Sequence, residues 1–355
     1  MPNYTPWHNL EPFIGTGIGS VPFISPEQAC QEILSHESLI PFWPQLVQKD
    51  PREEMVLQYC PPLPCLKPDF KQKTLNYDQD CNRSEALLLF YEKYFAKDYS
   101  FFPLLPEFAA GFYQLLKVLP SLKTSTPYVK GQIVGPITLG LSVKLSSNRF
   151  LINDAELMDT VSKGLAGQAI DQTKKFESLS KKAIIFLDEP SLSGYGSAFT
   201  PLSKNEILEY VGGTIHIIRE QTEALIGLHC CGNTDWSLLL ALDLDIINFD
   251  AFCFGESFIL YPVEIKKFLE KGNAVAWGLV PTSGYTGKET APTLLNRLAA
   301  YFETLISKGI DRDLLYTQAL ITPSCGMGTL SEETARRLLA LLSEVSIMAR
   351  DRFKL

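Results

Sequence analysis

Eight short apolar runs punctuate the chain, each closed by glycine, proline or a polar residue: Phe13–Ile18, Leu39–Trp43, Tyr128–Val134, Ala183–Leu187, Ala224–Leu228, Asp245–Phe249, Ala274–Leu279 and Leu315–Ile321. None alternates strictly between apolar and polar positions, so each reads as a strand buried on both faces, as in a parallel sheet covered by helices. Between them lie stretches with a helical period. Ile152–Phe176 is long and periodic, and Lys204–Gln221 follows Ser203, an expected N-cap. Glu332–Phe353 follows Ser331, opens on Glu332 and Glu333, and places Leu338, Leu341, Leu342 and Val345 on one stripe.

Eight strands alternating with helices predict an α/β fold, a single (β/α)8 TIM barrel over residues 1–355. One spacing breaks the rhythm. Residues 45–127 separate the second and third strands and hold Cys60-Pro-Pro-Leu-Pro-Cys65, a polar turn at Asp78–Asn82 and the aromatic run Phe90, Tyr91, Tyr94, Phe95. A connection this long is usually functional or structured in itself. It is expected as an insertion near the active-site mouth, with helices of its own that bury Phe90, Tyr91 and Phe95. No internal repeat or low-complexity linker interrupts the chain, so one decorated domain is expected rather than two.

Composition narrows the function. Apolar residues make up 46% of the 355 and charged residues 20%, enough for a large core and unlike a disordered chain. The net charge of −8 argues against a nucleic-acid partner, which calls for a basic face. The first ten residues show no basic and apolar signal pattern, and no run of ~18 apolar residues suggests a membrane span, so a cytoplasmic protein is expected. In that setting the eight cysteines read as metal ligands or buried thiols rather than disulfides.

Two glycine motifs invite nucleotide readings and fail them. Gly15-Thr-Gly-Ile-Gly-Ser20 has the wrong spacing for a dinucleotide fingerprint and reads as a tight loop leaving the first strand. Gly284-Tyr-Thr-Gly287-Lys288 is followed by Glu289 and is not a phosphate loop. The sharpest signal is Leu228-His229-Cys230-Cys231-Gly232 after an apolar strand. Side chains alternate on an extended segment, so His229 and Cys231 share a side and Cys230 points away. Cys325, in Ser324-Cys325-Gly326 just past the last strand, would reach the same rim of a barrel. One imidazole and two thiolates, with an open position, form a plausible catalytic Zn2+ set. Asp250 is the expected carboxylate fourth ligand, with Cys253 a weaker alternative, and Cys60, Cys65 and Cys81 are expected to pack in their loop. Asp188-Glu189-Pro190 ends the fourth strand, where acidic side chains can face the mouth; Asp188 is read as a catalytic and substrate-binding residue, and Glu189 as a second substrate contact. Gly135-Pro-Ile-Thr138 and Trp277 read as mouth-lining or packing residues.

In this order, Ile18-Gly-Ser20, Lys130-Gly, Gly135-Pro-Ile-Thr138, Asp188-Glu-Pro190, His229-x-Cys231, Ile246-Ile-Asn-Phe-Asp250 and Ser324-Cys-Gly326 resemble the catalytic barrel of the cobalamin-independent methionine synthase family. The set is also similar to the wider uroporphyrinogen decarboxylase superfamily, which includes zinc methyltransferases acting on methylated corrinoid proteins. The resemblance implies that His229, Cys231 and Cys325 hold zinc, that Asp250 is the carboxylate an incoming thiol displaces, and that Ser20 and Asp188 hold the amino-acid part of homocysteine. The sequence departs from the family in lacking a second, N-terminal barrel. It has no histidine in Gly278–Gly284, where the synthases protonate the folate leaving group, and has Lys49 at the aligned position of an ammonium-binding acid.

These departures favour a zinc-dependent methyltransferase that moves a methyl group from methylcobalamin or a methyl-corrinoid protein to a small thiol such as homocysteine or coenzyme M. A short methionine synthase using methyl-folate and homocysteine is the second expectation, and a zinc-binding barrel without activity the third.

Overall fold

Six of the eight apolar runs form one parallel sheet in the computed structural model, which describes residues 7–122, 127–146, 149–196 and 202–354. Its strands are β1 (Tyr128–Val134), β2 (Lys182–Asp188), β3 (Leu225–Cys230), β4 (Ile246–Phe249), β5 (Ala274–Val280) and β6 (Ala319–Pro323), neighbours in space in chain order. All but Lys182 are buried along their whole length, which explains the unbroken apolar runs. The registers set Val134 beside Asp188 and Asp188 beside His229, so the polar C-terminal ends of β1, β2 and β3 meet on one rim.

The sheet curls around an inner cluster built from Tyr128, Ile184, Phe186, Leu225, Ile246, Ala274, Ala276 and Leu320, with Leu10, Ile14 and Ile40. The runs Phe13–Ile18 and Leu39–Trp43 make no ladder. They are held by isolated parallel bridges, from Gly15 to both Leu39 and Ile321, from Phe42 to Lys130 and from Ser20 to Gln45. Lys130 N donates to Pro41 O, Ile40 N to Gly15 O and Ile321 N to Ile14 O. Local chemistry explains the missing ladder. Pro41 and Pro44 have no N–H to donate, and Gly17 lies so close to the Phe42 ring that a Cβ would stand 2.2 Å from it. The last run is also shorter than expected: Arg312–Thr317 is helical and β6 starts at Ala319.

Helix ends follow the capping signals. Ser203 accepts from Glu206 N while the Glu206 carboxylate accepts from Ser203 N, and the helix runs Lys204–Gln221. Ser331 caps Glu332–Arg352 through Thr334 N. The long helix Ala155–Glu177, capped by Asp154, packs on β1 and β2. No helix among the described residues is long and apolar enough to cross a membrane.

Residues 45–127 carry structure of their own: an antiparallel hairpin of Leu66–Asp69 with Thr74–Tyr77, and the helices Arg83–Phe95 and Ala110–Val118. Two expectations about this segment are corrected. Phe90 is buried against Phe102 and Tyr91 is half-buried, but Phe95 is 73% exposed. Helix Arg83–Phe95 lies against Ala155–Glu177, with Arg83 paired to Asp154 and Glu156 and Tyr91 bonded to Asp159, which turns Leu88, Leu89 and Phe95 outward. Cys65 and Cys81, expected as unpaired loop thiols, form a disulfide, because the hairpin returns the chain and brings their Cα atoms to 5.4 Å.

Candidate active site

The rim of the sheet gathers the chemistry. His229 and Cys231 leave β3 on one side, while Cys230 turns into the hydrophobic core, where burial pushes its thiol up to about 12. Asn248 of β4 fixes the imidazole. Its Nδ2 donates to Ala276 O at 2.8 Å and to Thr322 Oγ1 at 2.7 Å, so Oδ1 is left to accept from His229 Nδ1 at 2.5 Å. The ring proton therefore sits on Nδ1, and Nε2 carries a bare lone pair. That Nε2 is buried without a hydrogen-bond partner, and it lies within 4.8 Å of the sulfurs of both Cys231 and Cys325. A buried, unpartnered nitrogen beside two sulfurs is a donor set that fits a zinc-like cation. The Cys325 thiol donates to Cys231 and, against the pull of burial, lowers Cys231 to about 4; the same contact raises Cys325. Replacing Asn248 by Ala should free the ring and lower metal affinity about 10–100-fold, as for other supporting groups, which metal-competition titration would read.

A pocket of about 320 Å³ opens onto this cluster. Its walls include Ile18, Ser20, Gln45, Val47, Glu54, Met55, Asp188 and Gly326. Ser20 is locked to the Cys325 loop: its carbonyl accepts from Met327 N at 2.8 Å and its Oγ from Gly328 N at 3.4 Å. Asp188 is buried, with Oδ1 unpartnered. Burial raises its carboxyl to about 6, with His229 and Lys130 opposing.

The other expected site residues stand elsewhere. Glu189 turns from the pocket: its carboxylate accepts from Ile137 N, Thr138 N and Thr138 Oγ1 at the start of helix Pro136–Ser142, packed so closely that a Cβ on Gly135 would meet it at 2.1 Å. It shapes the turn that carries Asp188 rather than lining the cavity. Asp250 caps helix Ala251–Phe258 through Cys253 N and is not part of the tight three-atom cluster, though it feels the Cys231 charge. Cys253 is exposed. Trp277 packs among Phe249, Phe258 and Phe302. Lys49 does not line the pocket; the acid of this segment that does is Glu54, five positions on, whose Oε1 accepts from Lys73 Nζ at 2.7 Å. Sequence reasoning gave no role to Glu54, Lys130 or Asn248, although the last two lie inside quoted motifs.

The family model described as the catalytic domain of cobalamin-independent synthase matches residues 112–347. The chain belongs to that family. Among solved structures, this synthase is similar to a B12-independent methionine synthase from Shewanella sp. W3-18-1 in complex with selenomethionine, at 16% identity and a TM-score of 0.59, over 96% of this chain and 98% of that one. It is also similar to a putative vitamin-B12-independent methionine synthase from Listeria monocytogenes, at 15% identity and a TM-score of 0.53, over 97% and 99%. At these identities the likeness concerns the fold. No curated protein matches the chain. The family overturns the expected methyl-corrinoid or methylcobalamin donor: its members are cobalamin-independent synthases. The missing histidine and Lys49 are local departures, and the motif order along the chain outweighs them. This synthase is thus a methyltransferase of the methionine synthase type.

Proposed function

We propose that this protein is a short cobalamin-independent methionine synthase, moving a methyl group from methyl-tetrahydrofolate to the sulfur of homocysteine. The observation that carries the reading is the convergence of His229 Nε2 with the Cys231 and Cys325 sulfurs on a pocket whose other wall presents Ser20 and Asp188. His229, Cys231 and Cys325 would hold zinc, and Asp250, which feels the Cys231 charge, would be the exchangeable carboxylate. A thiol bound to zinc is deprotonated near neutral pH, which supplies the nucleophile. Asp188 and Glu54 would receive the substrate ammonium, and Ser20 its carboxylate. The thiolate sulfur forms the new bond to the methyl carbon as the carbon–nitrogen bond of the folate breaks, and the nitrogen takes up a proton. Among the described residues His229 is the only histidine lining the pocket, and in this reading it is given to the metal, so water is the expected source of that proton. In this reading residues 1–355 form one domain, the bridged segments near Gly15 and Ile40 complete an eight-stranded barrel, and 45–127 is an insertion.

The test is an assay of zinc-loaded protein with homocysteine and methyl-tetrahydrofolate, without any cobalamin. Methionine and tetrahydrofolate should appear in equal amounts. Absence of methionine from protein that holds its metal and binds homocysteine would overturn the donor assignment.

A further inference from the structure

Lys130 lies mid-way along β1, and its side chain does not reach solvent. Its ammonium donates to Ile18 O at 2.5 Å and to Gln132 Oε1 at 3.3 Å, and stands 4.6 Å from the centroid of the Phe186 ring. Among the described residues no carboxylate forms a direct ion pair with it; Asp188 on the neighbouring strand is the counter-charge it feels. Burying a cation costs several kcal/mol unless its surroundings compensate. An apolar side chain of similar length would fill this interior without that cost, so the charge calls for an explanation.

Its contacts give one. Ile18, the acceptor, lines the pocket and precedes Gly19 and Ser20. Gly19, at φ +155°, is backed by Gln132, whose Nε2 would stand 2.6 Å from a Cβ there. Lys130 and Gln132 thus brace the turn that presents Ser20, and Ser20 in turn holds the loop of Cys325. On its other side, the buried Asp188 has an unpartnered oxygen.

We propose that Lys130 is a positioning residue for the carboxylate end of the acceptor: its hydrogen bond to Ile18 fixes the turn that presents Ser20 to that carboxylate. The inference rests on an amino-acid thiol as the acceptor.

The experiment compares two thiols on the zinc-loaded protein by titration calorimetry: homocysteine, and 3-mercaptopropylamine, which keeps the ammonium but lacks the carboxylate. The variants are Lys130→Gln, whose shorter side chain draws its donor back from Ile18, and Lys130→Met, which has no donor. The preference for homocysteine over mercaptopropylamine should fall about tenfold in Lys130→Met, in keeping with one lost hydrogen bond, and by a smaller factor in Lys130→Gln. In turnover, Lys130→Met should raise KM for homocysteine and leave kcat nearly unchanged, because Lys130 is not placed at the sulfur or the methyl group. A preference for homocysteine that survives both substitutions, or an equal loss for both thiols, would overturn the role of Lys130 alone. Equal binding of the two thiols by the unsubstituted protein would overturn the amino-acid acceptor itself. Should Lys130→Met fail to fold, the Gln variant still decides.

Discussion

Cys231→Ser and Cys325→Ser will each strip the metal from the protein, while Cys230→Ser keeps it. The unsubstituted chain should hold about one zinc, as one His/Cys₂ site requires. Removing a supporting group costs about 10–100-fold in affinity; removing a thiolate ligand should cost more, leaving almost no zinc after dialysis against a weak chelator. Cys230 is the residue directly before Cys231. It lies in the same Cys-Cys pair, yet strand alternation points it into the core, with its sulfur near Gly232 O. Its loss should lower the melting temperature modestly without touching metal content. Elemental analysis of the three variants reads the outcome, and equal zinc loss at positions 230 and 231 would refute the geometry.

The second large effect is expected at Asp188. It is buried, faces the pocket and has a free oxygen, so a bound ammonium would meet it out of water. A hydrogen bond to a charged group contributes about 1.5–3 kcal/mol. Asp188→Asn should therefore lower kcat/KM for homocysteine about 10–150-fold, mostly through KM, while zinc content stays near that of the unsubstituted protein. A drop in kcat alone would place Asp188 at the reacting atoms instead of at the ammonium. The variant isolates the charge, since Asn keeps the shape and one acceptor oxygen.

The sheet was legible because burial on both faces writes itself as an unbroken apolar run. Tyr128–Val134 appears at its observed bounds, and Lys204–Gln221 was bounded by its capping serine. The first two runs were read as ordinary strands because apolar patterning does not register hydrogen bonds; glycine and proline within and beside them break the ladder. Helix Arg83–Phe95 was read from its aromatics, but a helix buries only the stripe that meets a neighbour, and Phe95 falls off that stripe. At the site, His229, Cys231 and Cys325 were legible from residue type and strand-end position. Glu189 was not: beside Asp188 in sequence, it spends its carboxylate on backbone amides that no one-dimensional pattern reveals. Asn248 and Glu54 act through partners 19 and 19 positions away, His229 and Lys73, and such pairs exist only after folding.

The disulfide divides the molecule into parts with different dependence on the chemistry around them. The loop between Cys65 and Cys81 contains no strand of the six-stranded sheet and none of the three metal-type ligands. It does contain Lys73, whose partner Glu54 forms part of the pocket wall. Cutting the bond gives the unfolded chain back the entropy of one short closed loop, about 3 kcal/mol, and in the folded protein it unties a hairpin at the pocket's edge, not the sheet. Reduction of this one bond leaves the six-stranded sheet untouched and reaches the hairpin beside the pocket.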